Sequence, residues 1–172
     1  MKNKIVSIVL IFISFLMGFQ LKGMMIESEN AIGRVTGIGG VFFKSKNPKE
    51  LRAWYKTNLG FHVNDYGAVF EWHQGADSTK KGFTQWSPFN ETTKYFQPST
   101  KEFMINYRVE NLDQLMINLK KNKVEVVDSV ESYEYGKFVH IMDLEGNKIE
   151  LWEPNDMAYE KMGVDMKLET NY

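Results

Sequence analysis

The chain has 172 residues, 43% of them hydrophobic and 25% charged, with a formal net charge of −1 and no cysteine. That length gives room for one ordinary domain with a sizeable core. The near-neutral charge leaves no electrostatic footprint for nucleic acid, and the lack of cysteine excludes disulfides, thiolate metal sites and a cysteine nucleophile while leaving export open.

The chain opens with Lys2 and Lys4, followed by an apolar run over residues 5–19 that only Ser7, Ser14 and Gly18 interrupt. A basic start and an apolar run shorter than the roughly 20 residues of a membrane span form a signal-peptide pattern. Residues 1–23 are therefore read as an export signal or a membrane anchor. Candidate cleavage points stand around Gly18 and Gly23, without an A-x-A motif. This predicts a periplasmic or extracellular protein, membrane-tethered where the segment is kept. A start at Met24 or Met25 would instead leave a cytoplasmic protein. Residues 24–36 read as a polar linker, residues 37–154 as the domain, and residues 155–172 as a tail.

Within the domain, residues 38–44 (IGGVFFK) read as a strand. Asn47-Pro48 then starts a helix, with Asn as N-cap and Pro at the first helical position. Leu51, Trp54, Tyr55 and Leu59 give it one apolar face, and Gly60 ends it. Short strands are predicted over 61–64 and 68–73, a polar loop over 75–81, and a strand over 82–87 closed by Pro88. Residues 90–101 form a longer loop whose Tyr95 and Phe96 fold over something. The pattern then repeats. Residues 103–109 read as a strand, and Asn111 caps a helix with Leu112, Leu115, Met116 and Leu119 on its apolar face. A short strand is predicted over 124–127, and a hairpin pairs residues 137–142 with 148–152. A turn centred on Glu145-Gly146 sets His140 across from Glu150. The tail is given a short helix carrying Met157, Tyr159 and Met162.

A shift of 64 positions lays Asn47 on Asn111 and Leu51 on Leu115, an internal repeat of β-α-β-β-β order. Each unit alone has one helix-covered face and one bare face, so two units side by side curl their bare faces into a shared trough. The fold class predicted is α+β: two paired βαβββ modules (37–90 and 102–154) forming a curled mixed sheet around a central cleft, with helices on its outer face.

Three stretches, VFFKSKNPKELRAWYKTNLGF (41–61), FMINYRVENLDQLMINL (103–119) and DLEGNKIELWEP (143–154), give the chain a resemblance to the vicinal oxygen chelate superfamily, the glyoxalase, bleomycin-resistance and extradiol-dioxygenase group. The resemblance covers residues 36–154. It implies paired modules around a cleft and, in the metal enzymes of the family, ligands on the first and last strand of each module. Those positions carry over onto Gly40, Met104, Glu150 and, by the shift of 64, Trp86. Only Glu150 retains a family ligand. Gly40 has no side chain, Trp86 only an indole donor, and the Met104 thioether prefers soft ions. One carboxylate is short of the three protein ligands usual for catalytic zinc. Metal-assisted isomerisation or dioxygenation is thereby put in question, and a cofactor is not expected unless a divalent metal binds by other residues. A slip of one residue would bring Gln85 into the place of Trp86.

Alternation along the strands places Phe42, Lys44, Thr84, Trp86, Met104, Asn106, Arg108, Phe138, His140, Met142, Lys148, Glu150 and Trp152 on the trough face. Val41, Phe43, Phe103, Ile105, Tyr107, Val139, Ile141, Ile149 and Leu151 face the helices. The candidate catalytic residues are Glu150 and His140, a carboxylate beside an imidazole. Equally, Glu150 has a plain reading as a strand residue bonded to Arg108 or His140, and His140 as a structural or solvated histidine. The candidate ligand-binding residues are Trp86, Met104, Asn106, Arg108, Phe138 and Trp152. Arg108 either clamps an anion through its fork of donors or pairs with Glu150. Glu71 with His73 is a further pair on the third strand, at a spacing common by chance, and His62 reads as surface.

Three functions stay open. One is a binder of a small, partly apolar molecule in an aromatic-walled trough whose metal site is largely lost. Another is a lyase, isomerase or dioxygenase-type enzyme using Glu150 with His140 and a relocated metal. The last is a structural or interaction domain whose trough is filled by its own loop. Export would separate the protein from glutathione chemistry, so glyoxalase activity itself does not follow. The expected partner is a small molecule, with no nucleic acid, and the expected state a monomer or homodimer.

Overall fold

The computed structural model describes residues 32–75 and 77–169, with side chains through residue 162. The predicted export segment lies outside the described residues. The elements run β1 (Arg34–Ser45), α1 (Pro48–Leu59), β2 (Ala68–Gln74), β3 (Asp77–Asn90), β4 (Phe103–Glu110), α2 (Leu112–Lys121), β5 (Glu131–Tyr133), β6 (Gly136–Met142), β7 (Lys148–Pro154) and α3 (Asp156–Glu169). The strands make one seven-stranded mixed sheet in the order β2-β3-β1-β4-β7-β6-β5. The fold is α+β, a curled sheet built from two modules.

The pairing between the modules is antiparallel and sets Val41 directly opposite Ile105. These positions differ by 64, the repeat found in the sequence. Two strands that match at that shift and also pair there are related by a local two-fold axis through the Val41/Ile105 pair. Outward from the axis, Gly40 faces Asn106 and Phe42 faces Met104. In each module the first strand pairs in parallel with the last, β1 with β3 and β4 with β7.

The helix caps follow from the sequence. Asn47 Oδ1 accepts from the Glu50 amide at 3.1 Å, and Gly60 closes α1 at φ +70°, a left-handed conformation that glycine takes without a Cβ penalty. Asn111 caps α2 by accepting from the Gln114 amide. Under α2, Leu112, Met116, Val109, Val139, Ile141 and Leu151 form the main buried cluster. Under α1 the packing is lighter. No α1 residue is buried, and Trp54 and Leu59 stay 52% and 57% exposed. Of the apolar face expected there, Tyr55 is the ring that packs closely, with its centroid 4.6 Å from Trp86.

Several elements differ from the sequence reading. The strands expected over 61–64 and 124–127 reduce to single bridges, Val63 with Ala68 and Val126 with Ile141. Asn64 Oδ1 accepts from the amides of Tyr66 and Gly67, and this turn ends the first of them. The expected loop over 75–81 is largely strand, because β2 and β3 form a long hairpin paired as far as Gln74 and Asp77. β3 also runs on through Pro88 to Asn90. Beyond Trp86 it has β1 alone as neighbour, and a strand with one open edge tolerates a residue without an N–H. β5 was not anticipated.

The tail helix is longer than expected and lies on the trough face, not the outer one. Tyr159 packs on Phe83 and Trp152 with centroids 5.2 and 5.0 Å away, while Met157 is 83% exposed. The loop over 91–102 covers the trough at another point. Phe96 is fully buried with Phe42 and Met104, and Phe89 packs against all three.

Candidate functional site

The β6–β7 hairpin sets the centre of the site. His140 pairs directly with Glu150 across it, and β4 sets Asn106 on the other side of Glu150. Glu150 is 3% exposed, so its carboxylate needs partners. Asn106 Nδ2 donates to Oε1 at 2.6 Å. His140 Nε2 lies 3.0 Å from Oε2, and the Tyr95 hydroxyl donates to the same oxygen. Burial works against the charge of Glu150, but the bonds from His140, Tyr95 and Asn106 outweigh it and hold the carboxyl below its ordinary value.

His140 has a carboxylate on each ring nitrogen. Nδ1 lies 2.7 Å from Asp128 Oδ2, and the His140 amide donates to Asp128 Oδ1 at 2.9 Å. Burial pulls the imidazole's pKa down, and Lys148 does the same, but the bond and charge of Glu150 and the bond to Asp128 raise it above the ordinary histidine value. Each ring nitrogen faces a carboxylate oxygen, an arrangement that favours the doubly protonated ring. Lys148 completes the group: Nζ donates to the Tyr95 carbonyl at 2.8 Å and sits 5.2 Å from the centre of the Tyr95 ring. Its ammonium is held below the usual lysine value by burial, which Asp128 and Glu150 only partly offset. Tyr95 in turn is pushed well above the ordinary phenol value, by burial first and the Glu150 charge next.

Beside this chain of bonds opens a cleft of ≈ 520 Å³. Its walls include Phe42, Phe89, Tyr95, Tyr133, Tyr135 and Phe138, with Gln85, Ser87, His140, Lys148 and Glu150 as polar contributions. Phe89 and Tyr95 stack with centroids 5.5 Å apart, as do Tyr133 and Tyr135 at 5.4 Å.

The sequence-predicted residues separate into groups. Glu150, His140, Asn106 and Phe138 come together here. Met104 faces the trough as predicted but lies beneath Phe96. Arg108 pairs with neither Glu150 nor an open cleft. Its Nη2 contacts both carboxylate oxygens of Asp156 in α3, at 2.7 and 2.8 Å. Trp152 stacks on Phe138 and lies beneath Tyr159. Trp86 is a correction. It packs with Phe43, Tyr55 and Phe61 on the helix face. Asn106 corresponds to Phe42 by the local two-fold axis. The β7 partner of Asn106 is Glu150 and the β3 partner of Phe42 is Ser87. The counterpart of Glu150 is therefore Ser87, one residue on from the expected position. Thr84 follows Trp86 off the trough wall. Its hydroxyl donates to the Ile38 carbonyl, while Gln85 lines the cleft in its place. Glu71 pairs with Lys81 and not with His73, and His62 is exposed.

Asp128 was missed by sequence reasoning, although the strand expected over 124–127 was a signal for it. The Val127 amide donates to the His140 carbonyl, which brings the next residue against the imidazole. Tyr95 stood in the loop expected to fold over the trough, but no periodicity located its contact.

The donor set can be tested against the divalent ion of the fold's metal enzymes. The four equivalent positions hold Gly40, Ser87, Met104 and Glu150. A Cβ on Gly40 would lie 2.6 Å from the Phe42 ring, the Ser87 hydroxyl donates to the Tyr66 carbonyl, and Glu150 has donors on both oxygens. Among the described residues no group of three or more His, Cys, Asp or Glu is arranged to hold a metal ion. These side chains do not fit the ion at the family positions.

No family model matches the chain, and no curated protein matches it. Solved structures do. Methylmalonyl-CoA epimerase of Streptomyces coelicolor superposes with a TM-score of 0.52 at 15% identity, over 71% of this chain and 99% of that one. The Mycobacterium tuberculosis epimerase gives 0.46 at 20% identity, over 73% and 93%. A glyoxalase/bleomycin resistance protein/dioxygenase superfamily member from Vibrio splendidus gives 0.43 at 12% identity, over 70% and 98%. The paired modules, the strand pairing about Val41/Ile105 and the superposition on the Streptomyces enzyme make this chain a protein of the vicinal oxygen chelate fold.

Proposed function

We propose that the chain binds a small, partly apolar molecule in the cleft beside Glu150, without the divalent metal used by the fold's metal enzymes. One observation carries this reading. Glu150 is the one carboxylate at the four ligand positions, and three donors of the chain itself occupy it. Beside it stands a cleft of ≈ 520 Å³ with aromatic walls, within the range of about 300–1,000 Å³ for small-molecule sites. The rings supply apolar contact area, and polar groups that can orient a ligand stand among them, His140, Lys148 and Gln85 together with Lys94, Asp128 and Glu131.

The test has two parts. Metal content is measured on purified protein, as isolated and after incubation with Zn²⁺, Ni²⁺, Mn²⁺ and Fe²⁺, beside Glu150→Ala. The expected result is no stoichiometric metal in either; stoichiometric metal lost in Glu150→Ala overturns the metal-free reading. Thermal-shift screening against small aromatic and alicyclic compounds is then run on wild type and Phe138→Ala. Hits that weaken in Phe138→Ala support the cleft, and hits indifferent to it count against it.

An acid–base enzyme is the second reading, favoured by the Asp128–His140–Glu150–Tyr95 chain of bonds. Both imidazole nitrogens are engaged within that chain, so turnover requires a substrate group to replace one of the carboxylates. Solvent deuterium entering a compound from the screen, with wild type but not with His140→Asn, would favour it. The self-filled reading has partial support, since Phe96 and α3 each cover part of the trough, but neither lines the cleft. The proposal also takes the protein to be exported and a monomer or homodimer. N-terminal sequencing of the mature chain and light scattering test those points.

A further inference from the structure

The geometry points to a second ligand subsite, for an aryl carboxylate, at Arg108, which the chain's own α3 occupies with Asp156 and Tyr159. It adjoins the cleft of the proposed function without lining it: Arg108 and Trp152 lie two residues beyond Asn106 and Glu150 on the paired strands.

The site is built. The Arg108 side chain is 2% exposed, with its guanidinium between two indoles, 5.7 Å from the Trp72 ring and 5.2 Å from the Trp152 ring. A guanidinium so placed recognises a planar carboxylate through paired N–H donors. Asp156 uses the fork incompletely. Both its oxygens lie on Nη2, one of them also accepting from Gln74 Nε2. Arg108 Nε and Nη1, and Asn106 Oδ1 beside them, are buried without a hydrogen-bonding partner. A buried charged donor left unpaired is costly. A carboxylate free of the helix backbone can turn to face two nitrogens at once, which Asp156 does not.

The ring beside it gives the ligand's second half. Tyr159, three residues after Asp156, rests on Phe83 and Trp152. Together the two side chains present one carboxylate and one adjacent ring, the outline of an aryl carboxylate. The other contacts that hold α3 are few: the Tyr159 hydroxyl donates to Gln85 Oε1 at 3.4 Å, the Asn155 amide just ahead of the helix donates to the Tyr135 carbonyl at 3.1 Å, and Lys81 pairs with Glu160 at 2.5 Å in a half-exposed bridge, of a kind that adds little.

Benzoate, benzamide and acetate serve as probes on the full chain. In Asp156→Ala, benzoate should bind about tenfold or more tighter than benzamide, which has the shape without the charge, and tighter than acetate, which lacks the ring. Adding Arg108→Gln should bring benzoate to the level of benzamide. If Asp156→Ala does not fold, Asp156→Asn carries the same comparison. On the wild-type chain, saturating benzoate should speed hydrogen exchange in residues 157–162 and leave α2 unchanged. Equal binding of benzoate and benzamide, or unchanged exchange in 157–162, overturns the proposal and makes the Arg108–Asp156 pair a structural bond only.

Discussion

Asp128 holds His140 twice. One carboxylate oxygen accepts from the His140 backbone amide at 2.9 Å and the other lies 2.7 Å from Nδ1, so ring orientation and strand position are fixed by one side chain. Replacing Asp128 by Asn keeps the shape and removes a negative charge. The His140 pKa should fall in Asp128→Asn, because one of the groups raising it is lost. Titration of the His140 ring protons by NMR checks this; an unchanged midpoint would show that Glu150 alone sets the value.

The same groups set a pH window for stability. The folded pKa of His140 is raised above 6.5, so its contribution is full below that value and is lost as pH rises through the raised one. The folded pKa of Glu150 is lowered from 4.5, so its contribution is full above 4.5 and is lost as pH falls through the lower one. Stability should therefore be greatest on the weakly acidic side of neutral. Urea midpoints measured across the range should decline toward alkaline pH in wild type, with a smaller decline in His140→Asn.

Removing the carboxylate altogether strands its partners. Glu150→Ala removes the main group that raises the His140 pKa and leaves His140 Nε2, the Tyr95 hydroxyl and Asn106 Nδ2 without their acceptor. Breaking a buried pair from one side costs about 3–5 kcal/mol, a large share of the roughly 5–15 kcal/mol that holds a domain together, so the variant should fold with a clearly lowered midpoint. Denaturant unfolding reads the loss directly. A cost below about 1 kcal/mol would mean that water replaces the carboxylate easily and that the group is less enclosed than its 3% exposure indicates.

Placing a histidine at the first-module position should not create a metal site. In Gly40→His the new Cβ meets the Phe42 ring at 2.6 Å, so the ring must move from its packing with Phe96 and Met104. The expected outcome is a lower Tm and no stoichiometric zinc in Gly40→His. A variant that gains zinc and keeps its Tm contradicts the assignment of Phe42 as the occupant of that space.

Phe96 distinguishes a loop that is part of the core from one that merely lies on it. It is 1% exposed and joins Phe42, Phe89 and Met104, so Phe96→Ala should cost about 3–5 kcal/mol. Met157→Ala, at an 83% exposed position, should stay within about 0.5 kcal/mol. Comparable losses in both would place the weight of the loop elsewhere.

What was legible in the sequence follows how local each feature is. The His140/Glu150 pairing came from a five-residue hairpin connection, and the two-module order from a 64-residue repeat, both read without knowing the fold; that the repeat also pairs, at Val41 and Ile105, came from the structure. The position equivalent to Glu150 was missed by one residue, because β3 follows a hairpin whose length no turn signal fixes. Once its register was free, Trp86 took the helix face, where Phe43, Tyr55 and Phe61 surround it. The contacts of Tyr95 and Asp156 were illegible, and that of Asp128 was only hinted at by the strand expected over 124–127, for a different reason. Each joins an irregular segment or a tail to a strand far away in sequence, and no period records such a meeting. The Arg108 partner was misjudged in that way: Glu150 was the nearest carboxylate on the sheet, and the one that reached it came from α3.

The axis through Val41 and Ile105 also divides the labour of the molecule. Its two sides repeat one architecture with opposite materials. Across it Asn106 answers to Phe42, and Glu150 to Ser87. Asp128, His140, Lys148 and Glu150 all stand on the later side, which also brings the rings of Tyr133, Tyr135 and Phe138, while the earlier side brings Phe42 and Phe89 with Gln85 and Ser87. The domain is thus symmetric as a scaffold and lopsided in charge: the chain of titratable groups at the centre of the site belongs to the half after the axis, and Tyr95 reaches it from the loop between the halves.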